Sequence, residues 1–411
     1  MRAILQHTWS SSTPDTWILN LAFFPELHGG CFAASDSRGG LNVYSLQQLQ
    51  SSAIIAIPNA HESSINVIKK VGSHMLASAS TDGIKVWDLR SDSKTPVYTF
   101  NNAKKSNFIS LDYSEEVNLL AAGTELGGVD AELHIWDLNK PEEVVRSFID
   151  SHHDDITDIK FHPSNPRYLM SGSTDGYVNI YDLNEPDEEE ALHQVINFAS
   201  IHSCHFLREN RIAALSHMET FSIYELNSTN YEQVEEPAPH EFGDVRSQWP
   251  DCEYVVDINP AGFVSYGANS SQKLSLYSFD AIKEEIELAK PVWFPGAHGE
   301  EVVRDVLVIP GTKKALTCGE DGSVRAWEMP FDPSTRTNVQ SSSMEISADE
   351  DEKKQKKKEK QEKKERREQR DKGKKERKEK KDKKDKKDKK DKKDKKDKKD
   401  KKKKDVRFKP Y

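Results

Sequence analysis

The chain has 411 residues, 35% of them hydrophobic and 31% charged, with a formal net charge of -9. That charge sums two unlike parts: residues 351–411 carry 36 Lys and Arg against 17 Asp and Glu, a net of +19, whereas residues 1–350 carry 24 against 52, a net of -28. The length allows a large buried core but exceeds most single-core folds unless the fold repeats, and the charge balance excludes a polybasic DNA-binding domain as the main mass.

In chain order, residues 1–27 hold no continuous apolar stretch of the signal-peptide kind, and no apolar run is long enough to span a bilayer. Neither a leader nor a membrane helix is expected. The four cysteines, Cys31, Cys204, Cys252 and Cys318, form no close pair. They read as small apolar side chains in strands, in a reducing compartment, with no disulfide framework and no zinc site.

From residue 41 onward one pattern recurs: a short alternating run that ends in Tyr or Trp, often followed by Asp or Glu. The clear cases are Ile84-Lys85-Val86-Trp87-Asp88, Leu133-His134-Ile135-Trp136-Asp137 and Val178-Asn179-Ile180-Tyr181-Asp182. Weaker ones end at Tyr44, Tyr224, Tyr277 and Trp327. The intervals between the seven aromatic positions are 43, 49, 45, 43, 53 and 50 residues. Alternation at period two marks a strand with one buried face. Each run is preceded by further short strands, such as Met75-Leu76-Ala77-Ser78-Ala79 and Ile156-Thr157-Asp158-Ile159-Lys160-Phe161. Asp82-Gly83, Asp175-Gly176 and Asp321-Gly322 sit where two strands must join tightly. Four strands per unit, seven units and short turns point to radial repetition, and leave no room for crossover helices.

These features resemble the WD40-repeat family and, within it, a subgroup with fungal members whose propellers are non-enzymatic. The resemblance covers residues 1–331 and implies an all-β, seven-bladed WD40 β-propeller. It implies a structural hydrogen-bonded network of His61, Ser78, Asp82 and Trp87 in the second unit. The fourth unit offers His152 or His153, with His153 favoured, together with Ser171, Asp175 and Tyr181. The seventh offers His298, Thr317, Asp321 and Trp327. Because the set recurs once per unit, it reads as scaffold and not as a Ser-His-Asp catalytic site. The first, third, fifth and sixth units depart from the pattern at their turns. No strand candidate follows Trp327 before Pro330, so an N-terminal strand near residues 2–7 is expected to complete the seventh blade and remove both open edges.

The connecting loops are acidic. Residues 187–190 read Asp-Glu-Glu-Glu, and Glu232, Glu235 and Glu236 fall in a long stretch, residues 229–251, that shows no periodicity and is expected to decorate the rim. A helix is expected over residues 280–289. Asp154, Asp155, Glu300 and Glu301 precede inner strands and should open onto one end of the ring. They form, with Trp17, Arg38, Trp249, Asp251 and Glu253, the candidate partner-binding set, in which Trp17, Trp249 and also Trp293 are the candidate aromatic anchors. His202, Cys204 and His205 are close in sequence, but alternation along a strand sends them to opposite faces and disfavours a metal site.

Residues 332–411 are expected to form a disordered, Lys-rich tail, since almost no apolar side chain is available for a core. From Lys381 the pattern is Asp-Lys-Lys at period three. The tail suits nuclear or nucleolar targeting with weak, non-specific RNA contact, or an arm that masks the acidic body. With no P-loop, metal-spaced cluster or nucleophile motif, no enzyme activity, cofactor, metal or small-molecule substrate is expected. The reading is a scaffold or escort for a basic nuclear protein such as a ribosomal protein or assembly factor. A histone-binding propeller and an adaptor of a ubiquitin ligase or transport complex are the alternatives.

Overall fold

The computed structural model describes residues 1–49, 52–91, 94–229 and 237–334. Residues 335–411 of the expected disordered tail and the loop acids Glu232, Glu235 and Glu236 lie outside the described residues. The described chain falls within one unit, Met1–Asn338, and it is an all-β, seven-bladed propeller.

Each blade is an antiparallel sheet, and in blades 1 to 6 the strands follow one another in sequence. Blade 1 consists of Ile18–Phe24, Cys31–Asp36, Leu41–Ser45 and Ile55–Ile57. Blade 2 consists of Val67–Val71, Met75–Ser80, Gly83–Asp88 and Tyr98–Phe100; blade 3 of Phe108–Ser114, Leu119–Thr124, Ala131–Asp137 and Val144–His152. Blade 4 follows with Ile156–Phe161, Tyr168–Ser173, Tyr177–Asp182 and Leu192–Asn197, and blade 5 with Ile201–Arg208, Arg211–Ser216, Thr220–Glu225 and His240–Asp244. In blade 6, Tyr254–Asn259, Phe263–Ala268 and Lys273–Asp280 are joined by Val292–Pro295, with the short Glu285–Ile286 pairing on the same strand. The first strands of consecutive blades neighbour one another round a closed circuit, and that of blade 7, Val303–Val308, lies against that of blade 1.

Why the blades stack follows from their second and third strands. These are buried on both faces, as in Met75–Ser80 and Tyr168–Ser173, because each sheet is sandwiched between two neighbours. Small residues let the blades approach. A Cβ added at Gly123 would lie 2.5 Å from Ile156 Cγ2, and one at Gly172 would lie 2.6 Å from Ile201 Cγ2, both side chains of the next blade. Among the described residues seven apolar clusters form, each spanning two adjacent blades. The one between blades 7 and 1 joins Trp9, Val324 and Leu316 to Ile18, Leu21 and Phe32.

That last cluster depends on the N-terminus. Ile4–Ser10 runs antiparallel to Ser323–Glu328, with Ile4 opposite Glu328 and Ser10 opposite Ser323, and so supplies the fourth strand of blade 7. The residues before it also tie back to blade 6: Ala3 N–H donates to Trp293 O at 3.0 Å and Trp293 N–H to Met1 O at 2.9 Å.

Three local expectations are corrected. Residues 280–289 form no helix; they turn, and Glu285–Ile286 pairs with the end of Lys273–Asp280. The Glu-rich composition favours helix, but the segment must turn back as the outer part of a blade. Residues 229–251 are not mere decoration, since His240–Asp244 is the fourth strand of blade 5 and pairs with residues 220–223. Its sequence, His-Glu-Phe-Gly-Asp, has no apolar alternation because little of an outer edge strand is buried. Cys252 lies in a loop and not in a strand, although all four cysteines are buried and unpaired.

Removing residues 1–9 leaves the blade 7–blade 1 cluster without Trp9 and exposes the edge of Ser323–Glu328. The expected outcome is a lower, less cooperative unfolding transition for the whole ring, measured by urea denaturation. A deletion variant that unfolds like the full chain would refute this closure role.

Candidate interaction face

Hydrogen-bonded relays shape the loops on one face. In blade 2, His61 Nδ1 donates to Asp82 Oδ1 at 2.5 Å, His61 Nε2 accepts from Ser78 Oγ at 2.7 Å, and Trp87 Nε1–H donates to Ser78 Oγ at 2.8 Å. A carboxylate can only accept and an indole N–H can only donate, so this assignment satisfies every member. In blade 7 the same relay runs through His298, Asp321, Thr317 and Trp327, with bonds of 2.7, 2.8 and 3.0 Å. Burial pushes the Asp321 carboxyl up, but the hydrogen bond and charge of His298 and the Ser323 bonds outweigh it and hold it at about 2. In both blades the Asp is the third residue of the tight turn, and Gly83 and Gly322, which follow it, have the positive φ the turn demands.

Blade 4 corrects one residue. The relay member is His152, fully buried, with Nδ1 on Asp175 Oδ2 at 2.9 Å and Nε2 on Ser171 Oγ at 2.7 Å, and Ser171 Oγ reaching Tyr181 Oη at 3.3 Å. His153 is the next residue, so its side chain turns to the opposite side. It lies exposed, with Nδ1 on Asp130 Oδ1 at 2.6 Å. Two adjacent histidines give the sequence no means of telling which one faces inward.

Blade 3 builds a different relay, from residues outside the repeated relay set. His134 bonds Glu132 Oε2 through Nε2 at 2.8 Å and Ser147 Oγ through Nδ1 at 2.7 Å. Glu132 also accepts from Asn102 at 2.7 Å and from Lys104 at 2.8 Å. Burial raises the Glu132 carboxyl, but Lys104, His134 and Asn102 together hold it below its ordinary value. The spacing was a signal: Glu132 and His134 are two apart in a strand and therefore share a face. In blade 6, Tyr266 takes the place of the relay Ser and donates to Pro250 O at 3.0 Å.

The innermost strands carry a second repeated device. Asp112, Asp158 and Asp305 each accept a backbone N–H from the next blade: Phe161 at 2.7 Å, Cys204 at 3.0 Å and Leu21 at 2.8 Å. Side chains also reach across. Ser110 Oγ donates to Ile156 O at 2.6 Å and Thr157 Oγ1 to Ile201 O at 2.7 Å. In six blades the innermost strand bulges by one residue near its start, at positions 19, 109, 157, 202, 256 and 304. A bulge re-aims its extra side chain. These residues stand where the strands emerge onto the face.

In an antiparallel blade, the turn between the second and third strands and the connection from the fourth strand to the next blade leave from the same end. All the relay turns therefore share one face. Its exposed carboxylates include Asp15, Glu62, Glu125, Asp251, Glu253, Glu300 and Glu301. Its exposed cations are mostly engaged. Arg38 donates to Thr16 Oγ1 at 3.2 Å and Pro14 O at 3.1 Å, Arg246 pairs with Asp244 at 2.7 Å, and Lys104 with Glu132.

The candidate partner-binding residues divide. Trp17 stands 43% exposed on this face, with the Arg304 guanidinium 5.6 Å from its ring centre. Trp249 is buried between blades 5 and 6 and stacked on Tyr266, so it is no surface anchor; the short helical turn before it folds it inward. Trp293 is exposed, but on the fourth strand of blade 6 and beside Arg2. Asp154 Oδ1 accepts from Asp155 N at 2.9 Å and Asp155 Oδ1 from Leu126 N at 2.8 Å, so both help fix loops. Asp251 pairs with Lys273 at 2.8 Å, Glu253 accepts from Ser270, and Glu300 accepts weakly from Gln272 at 3.4 Å. Glu301 is exposed. His202, Cys204 and His205 diverge: Cys204 joins the blade 4–blade 5 cluster, His205 bonds Asp257 at 2.9 Å, and His202 sits beside His217. Among the described residues no group of three or more His, Cys, Asp or Glu is placed to hold a metal ion, and no helix is long and apolar enough to cross a membrane.

Comparison with known proteins matches a family model for the WD domain, G-beta repeat, over residues 143–182. That segment is the last strand of blade 3 with the first three of blade 4, so the sequence repeat is offset from the blade by one strand. The chain is 46% identical over 301 residues to an uncharacterized WD repeat-containing protein of Saccharomyces cerevisiae, covering 71% of this chain and 76% of that one. It is 26% identical over 337 residues to a WD repeat-containing protein 89 homolog of Dictyostelium discoideum, covering 78% and 85%. A shorter likeness, 28% over 124 residues, covers 30% of this chain and 28% of the nuclear pore complex protein nup43 of Dictyostelium discoideum.

Two outcomes test this geometry. Replacing His152 with Ala should cost about 1–3 kcal/mol, because Ser171 and Asp175 lose a buried partner, while His153→Ala should change stability by less than about 0.5 kcal/mol; urea unfolding compares them. Burial, reinforced by the Asp257 charge, pushes the Asp305 carboxyl up to about 7. A carboxyl whose folded value exceeds its unfolded value contributes stability that is present in acid and lost as pH rises through that folded value. The melting temperature of Asp305→Asn, whose amide oxygen still accepts from Leu21, should therefore gain on the parent between pH 5 and pH 8. A pH-independent difference would refute the assignment.

Proposed function

The chain belongs to the WD-repeat family of propeller proteins, which serve as protein-interaction scaffolds, and on that premise we propose that it holds or escorts a basic protein of the nucleus. Residues 1–331 form the ring in this reading, and residues 332–411 act as a charged tail that directs nuclear or nucleolar location and adds weak RNA contact. The observation that carries the reading is the uneven charge of the face where the relay turns emerge. Glu62, Glu300 and Glu301 are exposed there, while most neighbouring cations are held by the protein's own groups. A field of this sign speeds encounter with Lys- and Arg-rich partners and repels nucleic acid. Trp17 adds an exposed aromatic ring on the same face. The partial likeness to a nuclear pore complex protein supports a nuclear setting. A ribosomal protein or assembly factor has the required chemistry.

Affinity purification from nuclear extract at low and moderate salt tests this. The full chain and a variant ending at residue 334 should both retain the same basic protein, identified by mass spectrometry. Glu62→Lys/Glu300→Lys/Glu301→Lys should lose it. Retention of that partner by the charge-reversed ring, or a set of exclusively acidic partners, would overturn the reading.

A further inference from the structure

Blade 3 has the longest outer strand of the ring. Its fourth strand, Val144–His152, has nine residues, against three to seven for the fourth strands of the other blades. It ends its sheet, and among the described residues no further strand pairs with its outer edge. A long open edge is ordinarily protected by shortness, charge or a covering segment. Here charge flanks the edge and a segment of blade 4 covers its end, yet three of its apolar side chains face solvent: Val144 is 41% exposed, Val145 58% and Ile149 47%.

The far end of this edge is covered, and a bulge at Val145, between the pairs Ile135–Arg146 and Trp136–Val144, bends its first part. The strand bulges again between the pairs Leu133–Phe148 and Ala131–His152, so that three residues face one on its partner. The Glu188 carboxylate, from the segment linking the third and fourth strands of blade 4, receives what the bulge leaves over. It accepts from Ile149 N at 3.1 Å, Asp150 N at 3.0 Å and Ser151 Oγ at 2.7 Å. Asp187 caps the short helix that presents it, and Arg146 donates to Leu183 O and Asp187 O, each at 3.2 Å. Glu188 therefore closes the last part of the edge and leaves the part before it open. Around the open part, Glu142, Glu143 and Asp150 are exposed, as are Glu189 and Glu190 beside Glu188.

We propose that residues 143–148 are a second docking site, separate from the relay-turn face, which receives an extended, Lys- or Arg-containing segment of a partner protein as an added strand. Main-chain hydrogen bonds to the open edge supply the affinity, the exposed valines receive alternate apolar side chains, and the flanking carboxylates pair with the cations between them. Glu188 sets the register, because an added strand stops where its carboxylate already fills the edge. Charge complementarity selects a basic segment over an acidic one of equal apolar content.

The probe is a fluorescein-labelled Lys-Val-Lys-Val-Lys-Val-Lys peptide titrated into the full chain by anisotropy, with a Glu-Val peptide of the same length as control. The Lys-Val peptide should bind and the Glu-Val peptide should not. Val144→Lys/Val145→Lys replaces exposed side chains and should weaken binding about tenfold or more. Amide exchange on the parent protein, which requires no variant, should show slowed exchange confined to residues 143–148. No binding of the Lys-Val peptide, equal binding of both peptides, or equal binding to the valine variant would overturn the proposal. So would protection in the relay-turn loops instead of the rim, a result that leaves the first face standing.

Discussion

Each blade of this protein is apolar on both faces of its sheet, and only a closed ring gives every face a partner. This constraint governs the rest. Burial of the second and third strands on both sides removes far more apolar surface from water than one blade could achieve alone. It also means that no blade is independent. The chain runs from the N-terminal strand of blade 7 directly into blade 1, so the one break in covalent continuity falls inside blade 7, between Ile4–Ser10 and Ser323–Glu328. Beside that break, Trp9 on the N-terminal strand packs against Phe32 of blade 1 at 4.9 Å between ring centres, and Asp305 holds the Leu21 amide. The ring is thus closed by side chains and a borrowed strand.

Close stacking creates a polar problem that the relays solve. Turns at the ends of buried strands leave amide groups and ring nitrogens with little access to water, and an unpaired buried group is costly. The chains of Asp, His, Ser or Thr, and Trp or Tyr pair these groups one after another in blades 2, 4 and 7. Blade 3 reaches the same end with Glu132, His134, Asn102 and Ser147. Because the relays turn their polar ends toward the loops, they stiffen the face on which the exposed carboxylates stand. A preorganised surface loses less freedom when a partner binds.

The acidic insertions prove to be partly structural. Glu188 reaches from blade 4 to blade 3. Glu284 reaches from blade 6 to blade 5, where Arg211 holds it with bonds of 2.6 and 2.9 Å and His240 with one of 3.1 Å. Burial raises the Glu284 carboxyl, but Arg211 and His240 hold it below its ordinary value. Net charge read from sequence therefore overstates the charge available to a partner. Glu188 and Glu284 are committed to the neighbouring blade, whereas Glu62, Glu300 and Glu301 remain at the surface.

The periodic features of the sequence determined the strand class, the blade count and most relay members. Alternation and the Asp-Gly turns are local consequences of backbone geometry, and they recur wherever the same blade is built. Which of two neighbouring histidines enters the relay, whether Trp249 faces in or out, and where Glu188 points were decided only by the ring. Each depends on the residue met across a blade interface, which no local periodicity specifies. The relay of blade 3 was legible only in its core, Glu132 and His134 two apart on one strand; Ser147 comes from the neighbouring strand and Asn102 from a loop, and no spacing records those meetings.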